Sequence, residues 1–120
     1  VILHSIIDAL LGAMRKKDIG TYFPDNKKKF KNIRSHKMLS PILKKLVNDN
    51  YMINNLDINL ICEKPKVSMY RNKIINSISK LMKLDNSKIN LKGKTVEKLG
   101  LIGTEKAIAC EVVVSITKYD

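Results

Sequence analysis

The stretch "HSIIDALLGA" sets an imidazole and a carboxylate, His4 and Asp8, four residues apart. On a helix that spacing turns both toward the same space, at the edge of the apolar side. Taken alone, a single helical histidine is more often an ordinary surface or core residue than a ligand. Further on, "DIGTYFPD" offers the carboxylate of Asp18, which can accept from sugar hydroxyls, and Gly20, which lets a backbone come close. "KTVE" at 94–97 carries an ammonium, a hydroxyl and a carboxylate, and by itself reads as a strand end. Cys62 and Cys110 have no CxxC spacing and no histidine at zinc-finger distance. Both sit in apolar runs and read as buried free thiols. Candidate general bases are few, and there is no serine or cysteine nucleophile elbow.

The elements that must hold these groups follow from hydrophobic spacing. Leu3, Ile6, Ile7, Leu10 and Met14 form one stripe at about 100° per residue, predicting an amphipathic helix over 2–16. His4, Asp8, Leu11 and Arg15 fall on the neighbouring stripe. Residues 17–34 read as a long polar loop with Gly20, Pro24 and the basic run "DNKKKFK". A second helix is expected from Ser35 as N-cap to about Asp49, with Asn50 as a left-handed C-cap. Pro41 should kink it or restart it after Ser40. "YMINNLDINLIC" (51–62) alternates Ile53, Leu56, Ile58 and Leu60 closely enough for a strand, and "EKPK" is then a turn. Tyr70, Ile74, Ile75, Ile78, Leu81 and Met82 predict a third helix over 68–84. "INLKGKT" (89–95) is a short strand, "EKLGLIG" a turn, and 106–117 a final strand rich in β-branched residues. The order is α-α-β-α-β-β, an α+β domain with a mixed β-sheet packed on one face by α-helices. The last strand is apolar on both faces, which predicts cover on both sides.

A chain of 120 residues, 44% hydrophobic, is one domain able to bury a core. No run is long and apolar enough to cross a bilayer, and no signal peptide is visible. The net charge of +12 points toward nucleic acid at first sight. The composition tempers that: 20 of the 23 basic residues are Lys, Trp is absent and aromatics are 5%. Nucleic-acid readers favour Arg forks and stacking rings. A Lys-, Asn- and Ile-rich chain is also what AT-rich coding yields. The rival to the reading below is a basic nucleic-acid-binding α/β module using Lys16, Lys17, Lys27, Lys28 and Lys29.

Taken in order, "HSIIDALLGA", "DIG" with "FPD", "ICEKPKV" and "KGKTVEKLG" resemble the 2-C-methyl-D-erythritol 2,4-cyclodiphosphate synthase family across essentially all 120 residues. The resemblance implies an enzyme, a phosphorus–oxygen lyase of non-mevalonate isoprenoid biosynthesis. It would cyclise a cytidyl diphosphate substrate and release CMP, as a homotrimer around a three-fold axis, with no nucleic acid and no membrane as partners. In that family an Asp-x-His strand precedes the first helix, so the resemblance implies a single domain, 1–120, truncated before Val1, with its N-terminal strands missing. The setting would be a plastid of apicoplast type, or else bacterial cytoplasm.

The resemblance also implies roles. His4 stands at a zinc-ligand position, zinc preferring about four donors, and Asp8 would support it or cap a nearby amide. Asp18, Ile19 and Gly20 match the segment holding ribose and diphosphate; Phe23, Pro24 and Asp25 match the loop over the methylerythritol phosphate. Cys62, Glu63, Lys64, Pro65, Lys66, Val67 and Ser68 match the cytosine pocket, where backbone groups read the base and side chains are free to vary. Lys94, Thr95, Val96 and Glu97 match the diphosphate segment. There Thr95 is the catalytic hydroxyl and Glu97 the ligand of a second divalent cation, Mg²⁺ or Mn²⁺. Glu111 matches a carboxylate near the three-fold axis. The chain departs at Asn26, Lys27 and Lys28 for Thr-Asp-Pro, at Asn32, Ile33 and Arg34 for Gly-Ala-Asp, and at Lys94 and Val96 for Thr. Near the axis, Leu101 and Thr104 stand for the family's Phe and Arg.

Overall fold

In a computed structural model of the chain, Tyr51–Ile61 forms the central strand β1 of a three-stranded sheet. The structure describes residues 2–24, 35–64, 66–95, 97–103 and 108–120. Strand β2 (Ile89–Lys94) runs parallel to β1, and β3 (Ala109–Lys118) runs antiparallel to it. A parallel pair needs a crossover, supplied here by helix α4 (Val67–Met82). Helices α1 (Ile2–Ala13) and α3 (Ser35–Asn48) precede the sheet. Two one-turn helices, α2 (Ile19–Tyr22) and α5 (Gly100–Gly103), complete the order with a 3₁₀ turn at Asn86–Lys88.

One face of the sheet is buried. Ile53, Leu56, Ile58, Ile89 and Leu91 meet Ile6, Ile7, Leu10 and Leu11 of α1, Leu39 and Ile42 of α3, and Ile75 and Ile78 of α4. The step from Ile53 to Leu56 breaks strict alternation because the register with β3 shifts between Ile53 and Asn55. Such a bulge returns the next apolar residue to the core face. The opposite face is polar and internally bonded. Asn54 Nδ2 donates to Ser115 Oγ and Thr117 Oγ1 at 3.2 and 2.8 Å, and Asp57 accepts from Lys92 Nζ at 2.9 Å.

Several expectations change. Pro41 does not divide α3, which runs through it as one helix. Pro41 and Lys37 are both exposed, so water can satisfy the carbonyl that the missing N–H leaves unpaired. Leu11, placed by spacing on the stripe beside the apolar one, is fully buried, because α1 packs against both α3 and β3. The 17–34 loop and the "EKLGLIG" turn each contain a helical turn. Within the chain, β3 is covered on one face: Cys110, Val112, Val114 and Ile116 pack on the core, while Val113 is 69% exposed. Asn50 does take the left-handed conformation, at φ 64°, and both cysteines are free thiols, Cys62 buried and Cys110 only half-buried. No helix among the described residues is long and apolar enough to cross a membrane.

A close contact lies where α4 starts. A Cβ on Gly93 would come 2.6 Å from Val67 Cβ, so only glycine lets α4 begin this close to β2. Gly93→Ala should cost about 1–3 kcal/mol as overpacking. Urea unfolding of Gly93→Ala, Val67→Ala and the double variant checks the cause: the pair together should cost less than the sum of the two.

Candidate functional site

Where β1 and β2 end side by side, the chain leaves a cavity of about 300 Å³ lined by Cys62, Glu63, Lys66, Val67, Ser68, Arg71, Gly93, Lys94 and Thr95. The Cys62 N–H donates to the Lys94 carbonyl at 3.1 Å, carrying the ladder one step past β1. The carboxyl ends of parallel strands are where open α/β sheets receive ligands. Here the first turn of α4 joins them. Its N-cap, Lys66, is extended and makes no side-chain capping bond, while its carbonyl accepts the Met69 N–H at 3.2 Å. Arg71 fixes the helix to the outer edge of β2, donating from Nε to the Leu91 carbonyl at 3.0 Å and from Nη2 to Asn90 Oδ1 at 2.9 Å. Segments 62–68 and 93–95, distant in sequence, thus share one cavity.

The chain leaves that cavity through a tight turn. Glu97 and Lys98 both have left-handed backbones, at φ 55° and 65°, in a sequence that has no glycine at either place. Thr95 Oγ1 faces the Glu97 N–H at 3.4 Å, and Glu63 Oε1 accepts the Lys98 N–H at 2.9 Å. Spacing gives no sign of either the left-handed pair or the Glu63 contact, since each depends on where a distant strand ends. A glutamate beside "KPK" reads only as turn polarity.

A second group gathers at the far end of α1. Asp8 Oδ1 accepts the Ile19 N–H at 2.8 Å, tying α1 to the Asp18–Gly20 bend. Of the two partners open to Asp8, this geometry uses the amide. Asp18 caps α2, its Oδ1 accepting from Thr21 N at 3.0 Å and Thr21 Oγ1 at 2.7 Å. Those two bonds hold its carboxyl below the usual Asp range. Among the described residues, a Cβ on Gly20 would meet only the Asp18 carboxylate, at 3.9 Å. Phe23 and Pro24 are half-buried, and Lys45 lies over the Tyr22 ring at 5.7 Å, docking α2 on α3. His4 is exposed near the start of α1. The neighbouring Ser5 Oγ faces the Cys110 carbonyl at 3.5 Å, so His4 lies near the start of β3, where Glu111 is also exposed.

Asp25, Pro65, Val96, Thr104 and the basic run Lys27–Lys29 lie outside the described residues. Of the other lysines in the rival basic module, Lys16 pairs with Asp49 at 3.7 Å and Lys17 is exposed. Among the described residues no group of three or more His, Cys, Asp or Glu side chains could hold a metal ion. As single donors, His4 offers an exposed imidazole and Glu97 an exposed carboxylate. The first suits zinc and the second a hard cation.

The family model described as the YgbB family matches residues 1–117. The chain belongs to the YgbB family. Among its relatives, the bifunctional enzyme IspD/IspF of Pelagibacter ubique is 54% identical over 119 residues, covering 99% of this chain and 32% of that one. The 2-C-methyl-D-erythritol 2,4-cyclodiphosphate synthase, apicoplast, of Plasmodium falciparum is 48% identical over 110 residues, covering 92% and 46%. A solved structure of IspF (Plasmodium falciparum) as a CDP complex superposes with a TM-score of 0.85 at 43% identity, covering 98% of this chain and 70% of that one. The chain thus spans about a third to a half of the length of the first two relatives. The second of them carries the name of the family that the motifs resemble.

The Asp18 cap gives a test of local electrostatics. Thr21→Val removes the hydroxyl donor and should raise the Asp18 pKa toward the ordinary value, measured by NMR titration of the carboxyl carbon. A depressed carboxyl pKa stabilises above the unfolded Asp value, and that stabilisation is lost as pH falls through the folded value. The gap in melting temperature between wild type and Thr21→Val should therefore close in acid.

Proposed function

We propose that this chain cyclises 4-diphosphocytidyl-2-C-methyl-D-erythritol 2-phosphate to 2-C-methyl-D-erythritol 2,4-cyclodiphosphate with release of CMP. The observation that carries this reading is the shared cavity of segments 62–68 and 93–95. Those are the two stretches that the resemblance assigns to the base and to the diphosphate. The relatives' names support it, as does the CDP complexed with the Plasmodium falciparum protein.

In this reading the cytosine is read by backbone groups of Cys62–Ser68, with Pro65 and Lys66 keeping the turn. Lys94 places an ammonium beside the diphosphate, and the Thr95 hydroxyl donates to an oxygen on the β-phosphorus. Asp18 keeps its second oxygen for a ribose hydroxyl, Ile19 and Gly20 bring backbone close, and Phe23, Pro24 and Asp25 close over the methylerythritol phosphate. An oxygen of the substrate's own 2-phosphate attacks the β-phosphorus. The bond from that phosphorus to the bridging oxygen breaks, and the electron pair leaves on CMP. No protein nucleophile is needed, which suits a chain with few general bases; positioning and charge neutralisation do the work.

His4 would hold zinc and Glu97 the second divalent cation, Mg²⁺ or Mn²⁺; when bound, both would neutralise phosphoryl charge. His4 is one of the about four donors that zinc prefers, so the remaining donors come from outside the described residues. An assembly of three copies around a three-fold axis, with the two residue groups drawn from adjacent copies, is part of the proposal. It would cover the polar sheet face on which Val113 is exposed, and would set Glu111 near the axis beside Leu101 and Thr104. Relatives named for the apicoplast and from bacteria support a plastid or a bacterial cytoplasm as its setting.

CMP release from the cytidyl substrate with zinc and Mg²⁺ tests the reading. His4→Ala should reduce release to background while thermal unfolding and oligomeric mass stay as in wild type. Full turnover in that variant rejects the zinc role. No turnover in wild type, together with salt-dependent RNA or DNA binding, favours the basic-module rival.

A further inference from the structure

We propose that Glu63 is a positioning residue that holds the phosphate-side turn in its working shape, through a hydrogen bond from the Lys98 amide to its carboxylate. The proposal rests on the reading of Thr95 and Glu97 given above. Two successive non-glycine residues, Glu97 and Lys98, stand in the left-handed region at φ 55° and 65°. L-residues with side chains leave that region unless something holds them there, and such strain gathers at functional sites. The described structure shows two holders. Glu63 Oε1, from the end of β1, accepts the Lys98 N–H at 2.9 Å. From the other side, α5 presses on the same residue: a Cβ on Gly103 would lie 2.0 Å from the Lys98 carbonyl carbon, and Gly103 N donates to the Leu99 carbonyl at 2.9 Å.

Glu97 precedes Lys98, so fixing the Lys98 amide fixes where the Glu97 side chain leaves the turn. Its exposed carboxylate is thereby aimed without spending either oxygen on an internal bond that is described. Thr95, two residues earlier, faces the Glu97 N–H through its hydroxyl at 3.4 Å. Hydroxyl, carboxylate and the Glu63 clamp thus meet at two successive amides, those of Glu97 and Lys98. The clamp also starts from the base side of the cavity. Glu63 lies in the 62–68 segment, so a base seated there and a diphosphate seated at 94–97 meet through a single carboxylate. A side chain that family matching leaves free to vary acquires a defined task, and that task needs an acceptor oxygen, not a negative charge.

The test uses Glu63→Ala and Glu63→Gln, the second keeping an acceptor oxygen. Amide exchange by NMR reads the clamp directly: Lys98 should exchange at least about 10-fold faster in Glu63→Ala, with Glu63→Gln recovering most of the protection. In CMP release, Glu63→Ala should raise the Mg²⁺ concentration for half-activation by about 10- to 100-fold, and Gln should restore most of it. Binding of CMP, which lacks the β-phosphate, should weaken less than binding of CDP with Mg²⁺. Unchanged Lys98 exchange in Glu63→Ala overturns the clamp. Faster exchange with unaltered Mg²⁺ dependence overturns its positioning role and leaves it purely structural. A wild type protected at Lys98 that never releases CMP refutes the cyclisation reading instead, with the clamp upheld by exchange.

Discussion

The close approach of Val67 to Gly93 is the contact on which the rest is arranged. It sets how near α4 can start to the end of β2, and so the width of the cavity between them. Arg71, one turn further along the helix, then spans the outer edge of β2 with two hydrogen bonds. An edge strand with its carbonyl engaged by a guanidinium is a poorer template for an incoming strand. The same helix placement therefore shapes the cavity and blunts an edge. With Ile75 and Ile78 buried behind it, α4 has little freedom to shift without opening the core.

Charge is handled differently on the two sides of the molecule. On the polar sheet face Asp57 is paired with Lys92 and bonded to Asn90, which lowers its carboxyl pKa, while among the described residues Asn59 Oδ1 is buried without a hydrogen-bond partner. At the candidate sites, polar groups are left outward instead. His4, Lys94, Thr95 and Glu97 are all exposed, and the bonds formed there go mostly to backbone amides, as with Asp8 to Ile19 and Glu63 to Lys98. Carboxylates spent on amides hold loops in place; of the groups left outward, the Glu97 carboxylate can meet a cation and the Lys94 ammonium a phosphate.

Much of this architecture is legible in the sequence, for reasons that are local. The long helices and the three strands follow from periodicity, and the chain order α-α-β-α-β-β is the one observed for the long elements. Asn50 declares its left-handed cap because Asn tolerates that conformation. What escapes is whatever depends on a distant neighbour. Leu11 looks like part of the stripe beside the apolar one until α3 and β3 close on both sides of α1. Pro41 looks like a break until both it and Lys37 turn out to face water. The one-turn helices at Ile19–Tyr22 and Gly100–Gly103 are too short for a period. Glu97 and Lys98 are ordinary by propensity, and only the end of β1 and the approach of α5 put them where they are. The motifs named the segments of the site; they could not show that 62–68 and 93–95 share a cavity.

The order of strands in space, β2-β1-β3, differs from their order along the chain. β1 can pair with β2 as soon as α4 has turned back, a connection of ordinary βαβ length. Its antiparallel neighbour is made last: Tyr51 waits for Lys118 and Ile61 for Ala109. During synthesis the central strand therefore emerges with one flank unsatisfied, and Leu56 and Ile58 stay only partly sheltered until β3 arrives. Pairings this distant along the chain slow folding, so the interval before β3 arrives is when the nascent protein is most open to sticking to a neighbour.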